Sequence, residues 1–154
     1  MAEWISPNSF NDPNGKWSGE TNAYDDNAGT LASDGGNSGY FAELYAPYPI
    51  RCTKVRLFSV RFIPPSGYTS ANVDIDLYYN GQWNHLFDGN LGSYLQWREI
   101  ALVSEQIVTA MRIRHTGSNY FWLYEFDFYG DSAGVRALAG GGLTNGGLTE
   151  KGLV

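Results

Sequence analysis

Between residues 71 and 79 apolar and polar positions alternate: Ala71, Val73, Ile75, Leu77 and Tyr79 share one parity, Asn72, Asp74, Asp76 and Tyr78 the other. A period of two sends successive side chains to opposite faces, so this segment is a strand with one buried face. Asn80-Gly81 follows, two residues that tolerate positive φ and so close a hairpin. Residues 83–87 then pair back as a second strand. Further strands are expected over residues 51–63, stopped by Pro64-Pro65-Ser66-Gly67, and over residues 96–103. Residues 107–115 read as a strand with Met111 and Ile113 inward and Arg112 and Arg114 outward. Residues 121–129 close the domain, with Trp122, Tyr124, Phe126 and Phe128 on one face. Residues 1–49 are broken by prolines and glycines and read as loops.

Many short strands separated by turns imply an all-β domain, a jelly-roll β-sandwich or a related sandwich. Composition agrees. The 154 residues suit one domain, and 11 Tyr, 8 Phe, 5 Trp and 19 Gly favour strands and turns over helices. The sandwich is assigned to residues 1–131 and a Gly/Leu-rich tail to residues 132–154.

Sixteen acids against ten bases give a net charge of −6, with no basic run. That balance excludes nucleic acid as an expected partner and disfavours docking to anionic membranes. Cys52 is the single cysteine, so no internal disulfide forms, and its apolar flanks imply a buried, inert thiol. The N-terminus, Met1-Ala-Glu-Trp-Ile5, has neither the basic nor the apolar region of a signal peptide. Synthesis in a cytoplasm is therefore expected, with no export by an ordinary signal peptide.

Two distant segments stand out. Asn22-Ala-Tyr-Asp-Asp-Asn-Ala-Gly-Thr30 is a turn crowded with oxygen donors, and Leu123-Tyr-Glu-Phe-Asp-Phe-Tyr-Gly130 is a terminal strand bearing carboxylates among aromatics. With Asn80-Gly-Gln-Trp83 and Val108-Thr-Ala-Met-Arg-Ile-Arg114 between them, the ordered set over residues 20–130 resembles the galactose-binding-like, discoidin or coagulation factor 5/8 type C family. The resemblance implies a β-sandwich whose ends meet, a binding role, and a structural calcium ion. It implies that Asp25 and Thr30 contribute to the ion and that Glu125 completes the shell, while Asn27 adds an oxygen within the same turn. The alternative is that Asp25 and Asn27 only make side-chain-to-backbone turn bonds. Ala32 departs from the family, which often has a Trp there. Trp83 matches a structural Trp of the family.

Catalytic patterns are weak. His85 and His115 lack metal-ligand spacing, Cys52 has no basic partner nearby in sequence, and no Gly-x-Ser-x-Gly elbow or phosphate loop occurs. Asp74 with Asp76, and Glu125 with Asp127, are i, i+2 pairs that read as solvated strand faces. The chain is therefore expected not to be an enzyme. The resemblance implies that binding uses loops at one end of the sandwich, and a glycan site there would need aromatic faces and planar polar groups. The candidates are Asn119 and Tyr120 in one loop, and Asn90, Tyr94, Trp97 and Arg98 in and after another.

In the tail, Leu138, Leu143, Leu148 and Leu153 recur every five residues, a period that fits neither helix nor strand. A flexible linker is one reading. The other is a motif that docks these leucines onto a protein partner or a neighbouring copy. The combined expectation is a binding or structural module on a virion surface, as a decoration or fibre-associated protein held by its tail. The alternative is a free-standing, lectin-like carbohydrate-binding module acting at an extracellular surface.

Overall fold

The computed structural model describes residues 1–134; the four tail leucines lie outside them. Among the described residues are nine strands: β1 (Glu3–Ile5), β2 (Ser9–Asn11), β3 (Ala32–Ser33), β4 (Ala42–Ile63), β5 (Gly67–Thr69), β6 (Asn72–Tyr79), β7 (Gln82–Asn90), β8 (Trp97–His115) and β9 (Tyr120–Ser132). A short 3₁₀ turn spans Glu20–Tyr24. Every pairing is antiparallel. The all-β sandwich expected from the sequence is the fold observed.

Two long strands make the sandwich. Near Ala42–Tyr45, β4 pairs with β2 and with the C-terminal part of β8, which continues to β6 and β7. Beyond Ile50, β4 pairs with β9 on one side and the N-terminal part of β8 on the other; β1 and β3 then border β9. Thus β4 and β8 run through both layers. Their change of layer falls where the ladder slips, between Tyr45 and Ile50 of β4, and Pro47 and Pro49 stand in that gap. Proline cannot donate to a ladder, so the break is where a strand can hold it. This corrects the loop reading of residues 42–49. The two strands expected over residues 96–103 and 107–115 are one, β8, bulged between Ala101 and Gln106.

β6 has the alternation its sequence promised, with Val73, Ile75 and Leu77 fully buried. Its turn to β7 has Asn80 at φ 54° and Gly81 at φ 76°. β9 departs from expectation. Opposite Phe58 and Ser59 the register steps from Glu125 to Leu123, leaving Tyr124 as an extra residue. One extra residue flips the parity of a strand. Phe121 and Leu123 face the core before the bulge, Phe126 and Phe128 after it, while Trp122 and Tyr124 turn outward. The expected single face of four aromatics is therefore split.

One core cluster joins the layers, with Leu44, Met111 and Ile113 from the first and Leu57, Leu123, Phe126 and Phe128 from the second. Cys52 is fully buried, and burial pushes its thiol up to about 11, as an inert core residue requires. β9 runs to Ser132, which pairs with Ile50, and Ala133 is also buried.

Candidate functional site

The turn after Tyr24 folds onto the outer face of the second layer, where it meets β9. Asp26 adopts φ 59°, a left-handed conformation that an aspartate tolerates. The backbone N–H of Asn27 donates to Glu125 Oε2 at 2.9 Å and to Asp25 Oδ1 at 3.0 Å. Asn27 Oδ1 accepts from the Gly29 N–H at 2.9 Å, and the Thr30 hydroxyl donates to Asp25 Oδ2 at 2.6 Å. The side chains of Asp25, Asn27 and Thr30 are thus engaged with their own turn. Glu125 reaches that turn from β9, closing the sandwich as a clasp.

The carboxylates that converge are a different set. One oxygen each of Asp26, Glu125 and Asp127 lie within 4.8 Å of one another. Glu125 and Asp127 share the outer face of β9 yet are only 2% and 4% exposed, which corrects their reading as a solvated pair. Ser6 Oγ lies 3.0 Å from Asp26 Oδ1 and 2.9 Å from Asp127 Oδ1. Arg56 donates through Nε and Nη2 to Asp127 Oδ2, both at 2.8 Å, and its guanidinium rests 3.8 Å from the Trp97 ring centre. Burial pushes Glu125 up to about 7, and its hydrogen bond to Asp25 adds to the rise. Burial pushes the Asp25 carboxyl up too, but hydrogen bonds from Thr30, Glu125 and the Asn27 backbone outweigh it and hold Asp25 below its ordinary value.

Three converging carboxyl groups form a donor set suited to a hard cation such as calcium. Arg56 already supplies one positive charge there, so an ion would be held with modest affinity, on the order of 10⁻⁴–10⁻³ M.

The pH dependence of the metal-free protein has a definite sign. Glu125 holds its proton more tightly folded than unfolded, so stability is full below its ordinary 4.5 and falls as pH rises towards about 7. In chelator-treated protein Tm is expected to drop by roughly 3–10 °C between about pH 5 and pH 8. Differential scanning calorimetry reads it. Glu125→Gln should flatten the slope, and calcium should restore Tm at the higher pH. A flat wild-type profile contradicts the Glu125 assignment.

The expected ligand loops lie at one end of the sandwich. Asn72 joins them: its side chain accepts from Asn90 Nδ2 at 2.9 Å, and its carbonyl accepts from the Thr116 N–H at 2.9 Å. Asn90 is committed further, accepting from Ser70 Oγ and the Gly92 N–H, both at 2.8 Å. Arg98 points its Nε at the Leu91 carbonyl, 2.9 Å away. These two side chains hold loops in place. Tyr94 is exposed, and Trp97 sits beside the clasp, away from the Asn119–Tyr120 turn. Asn119 has φ 71° and accepts from Arg61 Nη2 at 3.1 Å.

Tyr120 is the expected residue with the most company. Phe62 stacks on Trp122 with centroids 4.4 Å apart, and lies 5.5 Å from Tyr68 and 6.1 Å from Tyr120. Tyr68 and Tyr120 are 49% and 37% exposed. These four rings form a platform on the outer face of the second layer. Sequence reading missed Phe62, Tyr68 and Trp122; aromatics flanking the Pro64–Gly67 turn, opposite an aromatic strand, were the available signal. Under the platform Asp34 and His115 are each 1% exposed, with Oδ2 and Nδ1 3.5 Å apart. Asp34 Oδ1 accepts from the Phe121 and Gly36 N–H groups at 2.9 and 2.8 Å. His115 is thus a buried strand-end residue and not a surface one. His85 is exposed, and its Nδ1 lies 3.7 Å from both Asp74 and Asp76, which are themselves paired with Arg114 and Arg112. That pair, too, is ion-paired and not simply solvated.

No protein-family model matches the chain, and no curated protein matches it in sequence. Its fold does match solved structures. The family 32 carbohydrate-binding module of Clostridium perfringens NanJ, in complex with galactose, superposes at a TM-score of 0.60 and 13% identity, covering 84% of this chain and 92% of that one. An F5/8 type C domain from Bacteroides fragilis matches at 0.58 and 18% identity, covering 84% and 97%. The CBM32 of AlyQ, in complex with 4,5-unsaturated mannuronic acid, matches at 0.61 and 13%, covering 82% and 97%. The chain has the galactose-binding-like, discoidin fold.

Proposed function

We propose that the chain is a non-catalytic glycan-binding module whose saccharide rests on Phe62, Tyr68, Tyr120 and Trp122. The platform is the observation that carries this reading. Sugar C–H groups carry partial positive charge and pack against the negative faces of aromatic rings. Arg61 and Asn119, already hydrogen-bonded to each other, sit at the platform's edge as planar polar groups for hydroxyls. Tyr94 and the Asn90 loop border the same end of the sandwich. Saccharide complexes of neighbours with this fold support the assignment of ligand class. Against catalysis, the paired acids of β6 are held in ion pairs with Arg112 and Arg114.

Calcium belongs to this reading as a structural ion at Asp26, Glu125 and Asp127. Placement on a virion surface is its finest part. The regular tail leucines motivate it. Absence of the full chain from purified virus particles would rule the placement out, and a chain cut after Ser132 that still co-purified with them would rule out the tail as its anchor.

A glycan array tests the function, and titration calorimetry with the best neutral hit tests the site. Tyr68→Ala and Tyr120→Ala are each expected to weaken binding roughly tenfold or more, with the fold unchanged. Affinity indifferent to both variants removes the platform; an array with no hit removes the function.

A further inference from the structure

The outer face of the first layer carries a slot unrelated to the loop end. Tyr45 of β4, Ala110 of β8, Tyr78 of β6 and Trp83 of β7 stand in register across four adjacent strands. Their neighbours Leu44, Met111 and Leu77 are buried in the core, so these four face outward. Neighbouring strands lie about 4.8 Å apart, so an alanine between two tyrosines leaves their stems roughly 10 Å apart over a methyl floor. With Glu43 and Thr109 these residues bound a cavity of about 420 Å³. That is the size of an ordinary small-molecule site, where pockets run from about 300 to 1,000 Å³.

The walls are ordered. Trp83 meets Tyr78 edge-on, centroids 5.2 Å apart and planes at 77°, which makes one side a corner of two rings. Tyr45 donates its hydroxyl to Glu43 Oε1 at 2.6 Å, and Asn11 Nδ2 donates to the same oxygen at 3.0 Å. Both bonds fall on Oε1, which fixes the carboxylate without using Oε2. Burial pushes the Tyr45 hydroxyl up to about 12, so it stays a neutral hydrogen-bonding group.

We propose that this slot binds a neutral saccharide ring, as a second glycan subsite on the sheet face. Ring C–H groups fit the tyrosine and tryptophan faces, and Glu43 accepts from a hydroxyl or N-acetyl N–H. Glu43 and a net charge of −6 disfavour uronic acids. A cationic ligand is disfavoured as well, because the Arg112 guanidinium already lies 4.7 Å from the Trp83 ring centre. Along the same face, the Arg112–Asp76 and Arg114–Asp74 pairs continue from the slot and offer planar polar groups to a longer chain. The family resemblance reads Trp83 as structural and not as a ligand residue; its edge contact with Tyr78 is compatible with that reading, and its place in the slot wall goes beyond it. The inference rests on the glycan-binding reading but uses none of the platform residues.

Titration calorimetry on the full chain tests it, with lactose and N,N′-diacetylchitobiose as neutral probes, digalacturonate as an acidic one and tetramethylammonium as a cation. At least one neutral probe is expected to bind, and digalacturonate at least about tenfold more weakly. Ala110→Leu fills the slot from its floor, and should weaken neutral binding at least about tenfold while the protein stays folded, which its melting transition checks. Trp83→Ala should weaken it as much, with some loss of Tm from the missing edge contact with Tyr78. Neutral binding indifferent to both variants overturns the slot, and if Tyr120→Ala abolishes that binding the loop-end site stands alone. Failure of both neutral probes, or binding of tetramethylammonium in their place, overturns it too. A positive glycan array would still uphold the module's function in either case.

Discussion

Gly130→Ala is expected to destabilise the domain by more than about 4 kcal/mol, enough to abolish a soluble fold. Gly130 sits where β9 passes between β4 and β1, paired with Cys52 on one side and Glu3 on the other. A Cβ built on it falls 2.0 Å from the Arg51 carbonyl oxygen, and 2.8 Å from both the Arg51 carbonyl carbon and Ile50 Cγ2. The first two atoms are backbone, held by ladders on both sides of β4, so no rotamer change relieves the clash. The strands would have to part beside fully buried Cys52 and Phe128. Denaturant unfolding of any soluble protein, or its yield where none is soluble, reads the result. An unfolding free energy within about 0.5 kcal/mol of wild type would show that this crossing is slack.

Asp34→Ala is expected to cost about 3 kcal/mol and to loosen the loop end as well. The change strips the acceptor from two backbone N–H groups, those of Phe121 and Gly36, and removes the carboxylate facing buried His115. Each buried donor left without a partner costs about 1–3 kcal/mol. Phe121 is the residue before Trp122 and after Tyr120, and Gly36 lies against the Tyr120 ring, where a Cβ would sit 3.4 Å from it. Loss of Asp34 should therefore reach glycan affinity through the platform as well as Tm. Asp34→Asn keeps a carbonyl oxygen for both N–H groups and should recover at least half of the lost stability. Equal losses in the two variants would shift the weight from these hydrogen bonds to the charge opposite His115.

Much of the fold was legible because burial on one face leaves a period-two signature. β6 shows it plainly, and so does β8, where Met111 and Ile113 point inward and Arg112 and Arg114 outward. The Asn80-Gly81 turn was legible for another reason: its backbone demands positive φ at both positions. β9 was misread because nothing in Tyr-Glu-Phe-Asp-Phe marks which residue the partner strand will leave unpaired. The bulge at Tyr124 is set by Phe58 and Ser59 of β4, a relation absent from local sequence. The start of β4 was missed because Pro47 and Pro49 argue against a strand, and only the slip in register there makes room for them.

The site was legible in part. The meeting of the Asn22–Thr30 turn with Glu125 followed from the family resemblance, and the Asn27–Glu125 hydrogen bond realises it. The particular carboxylates did not follow. Asp25 meets Glu125 through a hydrogen bond. It is Asp26, at φ 59°, whose oxygen gathers with those of Glu125 and Asp127, and Asp127 joins through the parity set by the bulge. The platform draws one ring from β4, one from β5 and two from β9, a convergence that strand pairing creates and spacing along the chain conceals. Of its members only Tyr120 was expected. The slot was hidden in the same way, since Ala110 becomes a floor only with Tyr45 and Tyr78 on either side.

Chemical-shift mapping with a neutral oligosaccharide from the array tests the glycan-binding account most directly. Saturable shifts in the backbone amides of Ser118–Trp122 and Tyr68, weakened together by Tyr120→Ala, are the predicted result. Saturable binding that leaves those amides unmoved, or no saturable shift with any array hit, would contradict it.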